Sequence, residues 1–296
     1  MDKVELKIER SLKSGEVFGR EMLFTHSYLT SVFLPLRKPA DGVRAISRSS
    51  GRVSMELVAG SLPDRETGHF VPVPLPYGSK ARLVLINLCS RAVKAQSPEV
   101  HLEASFTAFA RELGHSVDQR AMNRLKEQMR RMSVLTMRLA KKNGDSQDVF
   151  NAVLFERFKA TYAKNPDQQL LFPDTVEFSS KFHQSLMKHA VPISKDQLSA
   201  IQDSGLAIDI LLWLSARLPR TLHPVKISWS SLHWAFSEFG TDRKSFKRRF
   251  KHALNRVLDE AYREANVEVV HGGIVIKNSK PPIPFKWRRT EGLIVG

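Results

Sequence analysis

Apolar positions recur at helical spacing from residue 79 to about 94, at Leu83, Ile86, Leu88, Ala92 and Val93, and this predicts an amphipathic helix. A short helix follows from Ser105, carrying Phe106, Phe109, Ala110 and Leu113 and stopped by Gly114. A longer one runs from about residue 118 to 132, with the stripe Met122, Leu125, Met129 and Met132. Residues 134–140 and 149–155 then read as strands. Between them lies Lys141-Lys142-Asn143-Gly144-Asp145, whose Asn-Gly pair signals a hairpin turn with a basic flank.

The same order returns after a polar linker at 164–169. Residues 179–189 predict a helix ended before Pro192, and residues 195–217 hold a long apolar segment. A short strand at 225–229 and a helix at 230–239 lead to Gly240. A long helix is then predicted over 242–264, with the stripe Phe246, Phe250, Leu254, Val257 and Ala261. Two short strands, 267–270 and 273–276, flank His271-Gly272 as a second hairpin. Upstream of both copies the signal is weaker. Residues 1 to about 25 read as a poorly ordered polar arm, 28–36 as an apolar stretch, 53–59 and 70–75 as strands, and 60–68 as a loop.

The two copies agree in detail. Ser105 and Ser231 each stand seven positions before a glutamate, Glu112 and Glu238, and nine before a glycine, Gly114 and Gly240. A glycine there lets the chain turn with positive φ at the helix end. Each segment leads into a basic amphipathic helix and a hairpin, which is the order of a winged helix. In that plan the second of the paired helices enters the major groove and the hairpin touches the backbone or minor groove. Two ordinary helical hairpins with similar helix ends are the plainer alternative.

Charge sharpens the picture. Lys and Arg total 46 against 30 Asp and Glu, a net charge of +16, which favours a polyanionic partner. Anionic membrane surfaces and non-specific adhesion are the other readings of charge alone. Over 242–264 the bases Arg243, Lys244, Lys247, Arg248, Arg249, Lys251 and Arg256 crowd the first two-thirds, and Asp259, Glu260 and Glu264 gather at the end. This polarity runs against the helix macrodipole, as expected of a helix whose first half meets phosphates and base edges. Arg and Asn suit bidentate contacts with guanine and adenine. Arg120, Asn123, Arg124, Lys244, Lys247, Arg248 and Lys251 are therefore candidates for base or near-base contact. Arg130, Arg131, Lys141, Lys142, Arg243 and Arg256 are candidates for phosphate contact. A solvated surface charge is the alternative for any single member, so the clusters carry the argument. Phe246 and Phe250 read as core.

The remaining chemistry is bland. There is no phosphate-binding Gly-x-x-x-x-Gly-Lys-Ser/Thr run, no His-x-His pair, no zinc spacing and no Gly-x-Ser-x-Gly elbow. The one cysteine, Cys89, lies in an apolar run, which fits a reducing cytoplasm. Residues 1–20 lack the apolar region of a signal peptide, and the run 83–89 is too short to span a bilayer. The expectation is a cytoplasmic binding protein, not an enzyme, with no cofactor, no metal and no membrane partner.

Several motifs together resemble a known family. They are Pro76-Tyr77-Gly78-Ser79 before a long apolar helix, the run from Phe106 to Gly114, and Arg124-Leu125-Lys126-Glu127-Gln128-Met129-Arg130-Arg131-Met132. The runs 189–193 and 207–218, Ile227-Ser228-Trp229, Phe246-Lys247-Arg248-Arg249-Phe250 and the run 280–283 continue the likeness in the right order, over roughly residues 70–283. This resembles the plasmid-encoded RepA replication initiators. Members often carry glycines before the first recognition helix, where this chain has Val117-Asp118-Gln119.

The resemblance implies binding to repeated double-stranded sites at a plasmid origin, help in opening the nearby duplex, and recruitment of the host replication initiator and replicative helicase. It also implies a possible homodimer. The expected fold is α+β and helix-rich, with tandem winged-helix domains and a small strand-containing N-terminal extension. Its parts would be an arm and extension (1–69), a first winged-helix domain (70–163), a second (170–280) and a basic C-terminal tail (281–296). A transcriptional repressor of similar fold remains the alternative. An unrecognised nucleic-acid enzyme has no carboxylate or metal constellation in its favour.

Overall fold

The computed structural model describes residues 16–17, 20–64, 66–102, 106–114, 117–159, 175–238 and 240–281. Expectations placed on residues 1–15, Ser105, the linker at 164–169, Phe239 and the tail beyond 281 lie outside them.

A two-residue strand β1 (Glu16–Val17) precedes β2 (Arg20–His26). A hairpin of β3 (Ala45–Ser50) and β4 (Val53–Ala59) follows, then a small ladder of β5 (Ser61–Pro63) and β6 (Phe70–Pro72). Helix α1 (Gly78–Ala95), strand β7 (Glu99–His101), α2 (Phe106–Glu112), α3 (Gln119–Met132), β8 (Leu135–Asn143) and β9 (Ser146–Val153) form the first module. Strands β10 (Phe155–Lys159) and β11 (Thr175–Phe178), helix α4 (Ser180–His189), strand β12 (Ala190–Ser194) and helix α5 (Lys195–Ala200) connect to the second. That module runs α6 (Gly205–Arg217), β13 (Val225–Ser228), α7 (Trp229–Phe236), α8 (Arg243–Arg256), β14 (Val267–Val270) and β15 (Gly273–Ile276). The element order helix, strand, helix, helix, hairpin therefore occurs twice in an α+β fold.

Strand pairing separates the copies. In the second, β13 closes onto its own hairpin in the order β13-β15-β14. In the first, β7 turns away to pair with β11, and β3-β4 adds to β8-β9 to make a four-stranded antiparallel sheet in the order β3-β4-β8-β9. The added hairpin brings alternate core residues: Met55 and Leu57 are buried beside Met137 and Leu139.

Three local readings change. Residues 20–26 are a strand and not part of a disordered arm: β2 pairs antiparallel with β12, with His26 opposite Ala190 and Met22 opposite Ser194. Met22, Phe24, Thr25 and His26 are all buried, so tertiary pairing supplies what the polar neighbourhood hid. Within the expected loop at 60–68, Ser61–Pro63 pairs with Phe70–Pro72. The long helix expected over 242–264 also ends early. Helical bonding stops at Arg256, a wider π-turn covers Val257–Ala261, and Tyr262 is buried with its hydroxyl donating to the Lys280 carbonyl at 2.6 Å.

One hydrophobic core runs through both modules, from Leu29 to Ile276. Inside it α1 meets α6 through an ion pair. Arg82 Nε and Nη2 bond Asp209 at 2.6 and 2.7 Å, and Arg82 Nη1 donates to the Pro35 and Gly78 carbonyls. Both side chains are 4% exposed. Burial pushes the Asp209 carboxyl up, and Arg82 pulls it back. A buried pair with its hydrogen bonds filled fixes one arrangement of two helices, because any slippage strands a charge in the core. Cys89 is also buried, and burial pushes its thiol up, as for a structural cysteine.

Candidate nucleic-acid interface

Helix α8 begins at Asp242, whose carboxylate accepts from Ser245 N at 2.9 Å. Its inner face is core: Phe246, Phe250, Ala253 and Leu254 are buried. Phe250 is ringed by Trp229, Phe236 and Phe246 at 5.3–6.0 Å between centroids. Its outer face carries Arg243, Lys244, Lys247 and Arg248, all exposed, and none has an acidic partner among the described residues. Lys251 is half-buried. The Lys247 and Lys251 ammonium groups stand 5.2 and 5.8 Å from the Trp229 ring centroid. Trp229 N in turn donates to the Gly272 carbonyl at 3.0 Å, in the turn of the second hairpin. The lysine heads and the hairpin turn thus share one corner, held by an aromatic ring.

Helix α3 is built on the same plan, with Asp118 as its cap accepting from Ala121 N at 2.9 Å. Arg120, Asn123 and Arg124 are exposed on its first turns. The Asn123 side-chain oxygen accepts from Gln119 at 2.9 Å, which orients the amide. Lys126 lies 5.4 Å from the Phe106 ring centroid, and Arg130 is 3.5 Å from Glu127.

The structure corrects two phosphate candidates. Arg131 is 7% exposed, donates to the Leu75 carbonyl at 3.0 Å and to Glu127 at 2.8 Å, and covers the Tyr77 ring. With Gln128, which accepts from Tyr77 N at 2.9 Å, it clamps the Pro76-Tyr77-Gly78 turn ahead of α1. Arg256 bonds Asp203, Glu260 and the Ala200 carbonyl, which ties the end of α8 to the region just after α5. Helical periodicity shows a cation as facing away from the stripe, but not what another element brings to meet it.

Lys141 and Lys142 lie in the body of β8, opposite Asp148 and Gln147. The turn itself is Gly144-Asp145, with Gly144 at φ +60° as a glycine-led two-residue turn requires. Beside them sits a residue the sequence does not flag. Arg52, exposed at the β3–β4 tip, gives its carbonyl to Lys142 N at 2.9 Å. Lys80 on α1 is a second: burial lowers its ammonium pKa, and Arg124 nearby lowers it further. Both depend on tertiary pairing, which no local pattern reveals.

Between the outer face of the β3-β4-β8-β9 sheet and the α7–α8 turn runs a groove of about 1400 Å³. Arg48, Arg138, Trp234, Arg248 and Arg249 line it, and Trp234 is 74% exposed. No helix among the described residues is long and apolar enough to cross a membrane, and no group of three or more His, Cys, Asp or Glu among them is placed to hold a metal.

The sequence profile of the family described as "Plasmid encoded RepA protein" matches residues 75–230, more than half of the chain. The chain belongs to this RepA family. The match spans α1 to the start of α7, and so includes the whole first module and the Arg82–Asp209 pair. Among solved structures, this RepA chain is similar to a crystal structure of the selenomethionine derivative of domains 2 and 3 of RctB. The TM-score is 0.54 at 12% identity, over 82% of this chain and 94% of that one. A second crystal structure, of RctB domains 2-3 (RctB-155-483), gives 0.49 at 13% identity over 82% and 95%. At such identity the first likeness is one of fold. No curated protein sequence matches this chain.

Proposed function

We propose that this RepA protein is a cytoplasmic plasmid replication initiator that binds repeated double-stranded sites at its origin through two winged-helix units, over residues 70–163 and 170–280. Helices α3 and α8 are the recognition helices, and the hairpins β8–β9 and β14–β15 are the wings. The observation that carries the reading is the outer face of α8. Four exposed cations stand there without acidic partners among the described residues, on a helix whose reverse side is fixed in the core. A solvated helix does not need its bases massed at the end where the macrodipole is already positive. A helix that meets phosphates does.

In this reading Lys244, Lys247, Arg248 and Lys251, with Arg120, Asn123 and Arg124, reach base edges or lie near them. Arg243, Arg130, Lys141 and Lys142 neutralise phosphates. Binding energy then bends or melts a neighbouring AT-rich stretch. The protein acts by binding rather than turnover, and hands the opened duplex to the host initiator and replicative helicase. A homodimer belongs to self-repression in the same scheme. A footprint on the parent plasmid tests this: protection of direct repeats beside an AT-rich stretch is expected. Protection of an operator palindrome alone, with replication unaffected by loss of the protein, supports a repressor instead.

A further inference from the structure

The turn that leads into each recognition helix is held by a part of the chain outside its own module. Gly114, at φ +68°, precedes α3, and its carbonyl accepts from the Gln202 amide at 3.2 Å. Gln202 lies just after α5, next to the Asp203 that binds Arg256 at the end of α8. Gly240, at φ +77°, precedes α8. Two residues before it, Glu238 Oε1 accepts from the backbone N–H groups of Leu36 and Arg37 at 2.7 and 2.8 Å. The Ser237 carbonyl accepts from Arg48 Nη1 at 2.7 Å, and the Trp234 indole donates to Ser49 at 3.2 Å.

The internal repeat makes Glu238 informative. Its counterpart Glu112 bonds Asn87 and Arg91, both on α1 of its own module. The second copy keeps the glutamate and turns it outward, to the segment between β2 and β3. That segment is itself held by the first module, since Arg82 of α1 takes the Leu34 and Pro35 carbonyls and Gly78 N donates to Pro35 at 2.9 Å. A continuous chain of bonds therefore runs from α1 through residues 34–37 to the turn before α8.

We propose that Glu238 is a positioning residue that fixes α8 relative to α3, so that this protein reads the spacing between its two half-sites as strictly as their base sequence. This rests on the DNA-binding reading above. One inserted base pair moves a half-site by about 3.4 Å and rotates it by about 35°, which a rigid pair of helices cannot follow.

The test uses the full chain and a duplex enriched by the wild-type protein from a random pool, with one, two or five base pairs then inserted between the two protected grooves. For the wild type, one inserted pair is expected to lower affinity at least about tenfold. Glu238→Ala is expected to flatten the profile, with a penalty under about threefold for the same insertion. Glu238→Gln is expected to keep the wild-type profile, because its amide oxygen still accepts from both N–H groups. If Glu238→Ala does not fold, Gln202→Ala releases the other clamp and should flatten the profile in the same way. An Ala variant as steep as wild type, or a Gln variant as flat as Ala, overturns the proposal. If the wild-type chain enriches no duplex at all, the DNA-binding reading fails first, before any spacer is changed.

Discussion

Helices α3 and α8 occupy the same place in two copies of one element order, and their cations serve different ends. In α3 part of the C-terminal half works inward: Arg131 holds the turn before α1 and bonds Glu127, and Lys126 lies over Phe106. In its first half Gln119, Arg120, Asn123 and Arg124 face solvent, of which two are cations. In α8 four cations face solvent, and among the described residues only Arg256 is committed to acids. The hairpins differ in the same sense. The second is a compact three-stranded sheet closed on itself, and the first is widened to four strands by the N-terminal hairpin. Duplicated topology therefore need not mean duplicated work: α3 gives Lys126 and Arg131 to packing within the fold, while α8 keeps four cations open and leaves the joining to the turn before it, through Glu238, and to its end, through Arg256.

Three variants would break that contrast. Phe250→Ala empties the site between Trp229, Phe236 and Phe246 and should cost about 3–5 kcal/mol of stability. An unchanged thermal midpoint would show that α8 is not anchored there. Lys247→Ala with Arg248→Ala should leave the midpoint alone and weaken specific binding about 100-fold, taking about 1–3 kcal/mol for each lost contact. The matched pair in the first module, Arg120→Ala with Arg124→Ala, should weaken it only about tenfold, the loss of a single such contact. Equal losses from the two doubles, measured by titration of origin DNA, would erase the proposed asymmetry.

Arg131→Ala draws the line between structure and binding. It strips a buried guanidinium from Leu75, Glu127 and Tyr77, and should lower stability by about 1–3 kcal/mol. Its effect on the salt dependence of DNA binding should be nil, because the group is buried against protein. A shallower salt slope with full stability would return Arg131 to the phosphate contacts.

Much of this was legible in the chain itself, and the limits were physical. The stripes of α3 and α8 and the second hairpin follow from period 3.6, period 2 and turn glycines, all local signals. Gly114 and Gly240 adopt positive φ as the repeat implies. What local pattern could not show was pairing at a distance. β2 finds β12 some 170 residues away, and β3-β4 joins β8 across about 80. For the same reason helical periodicity presents Arg131 and Arg256 as surface cations and gives no sign of Arg52 and Lys80. Each of the four takes its role from an element remote in sequence.

The smallest effect lies at the widened first hairpin. Lys142 is exposed on β8, beside the tip of the added hairpin where Arg52 stands. If both reach the DNA backbone, each neutralises about one phosphate and releases its counterion. Lys142→Ala should then weaken binding only a few-fold, equally for specific and unrelated duplexes, and reduce the slope of log affinity against log salt by about 1. Arg52→Ala should do the same, and the double should subtract about 2. Strand register makes the pair a fair test, since Val53 opposite Lys141 sets the two tips side by side. A loss confined to one sequence would make the wing a reader of bases. No loss in either variant would leave the binding to α3 and α8, with the four-stranded sheet as scaffold.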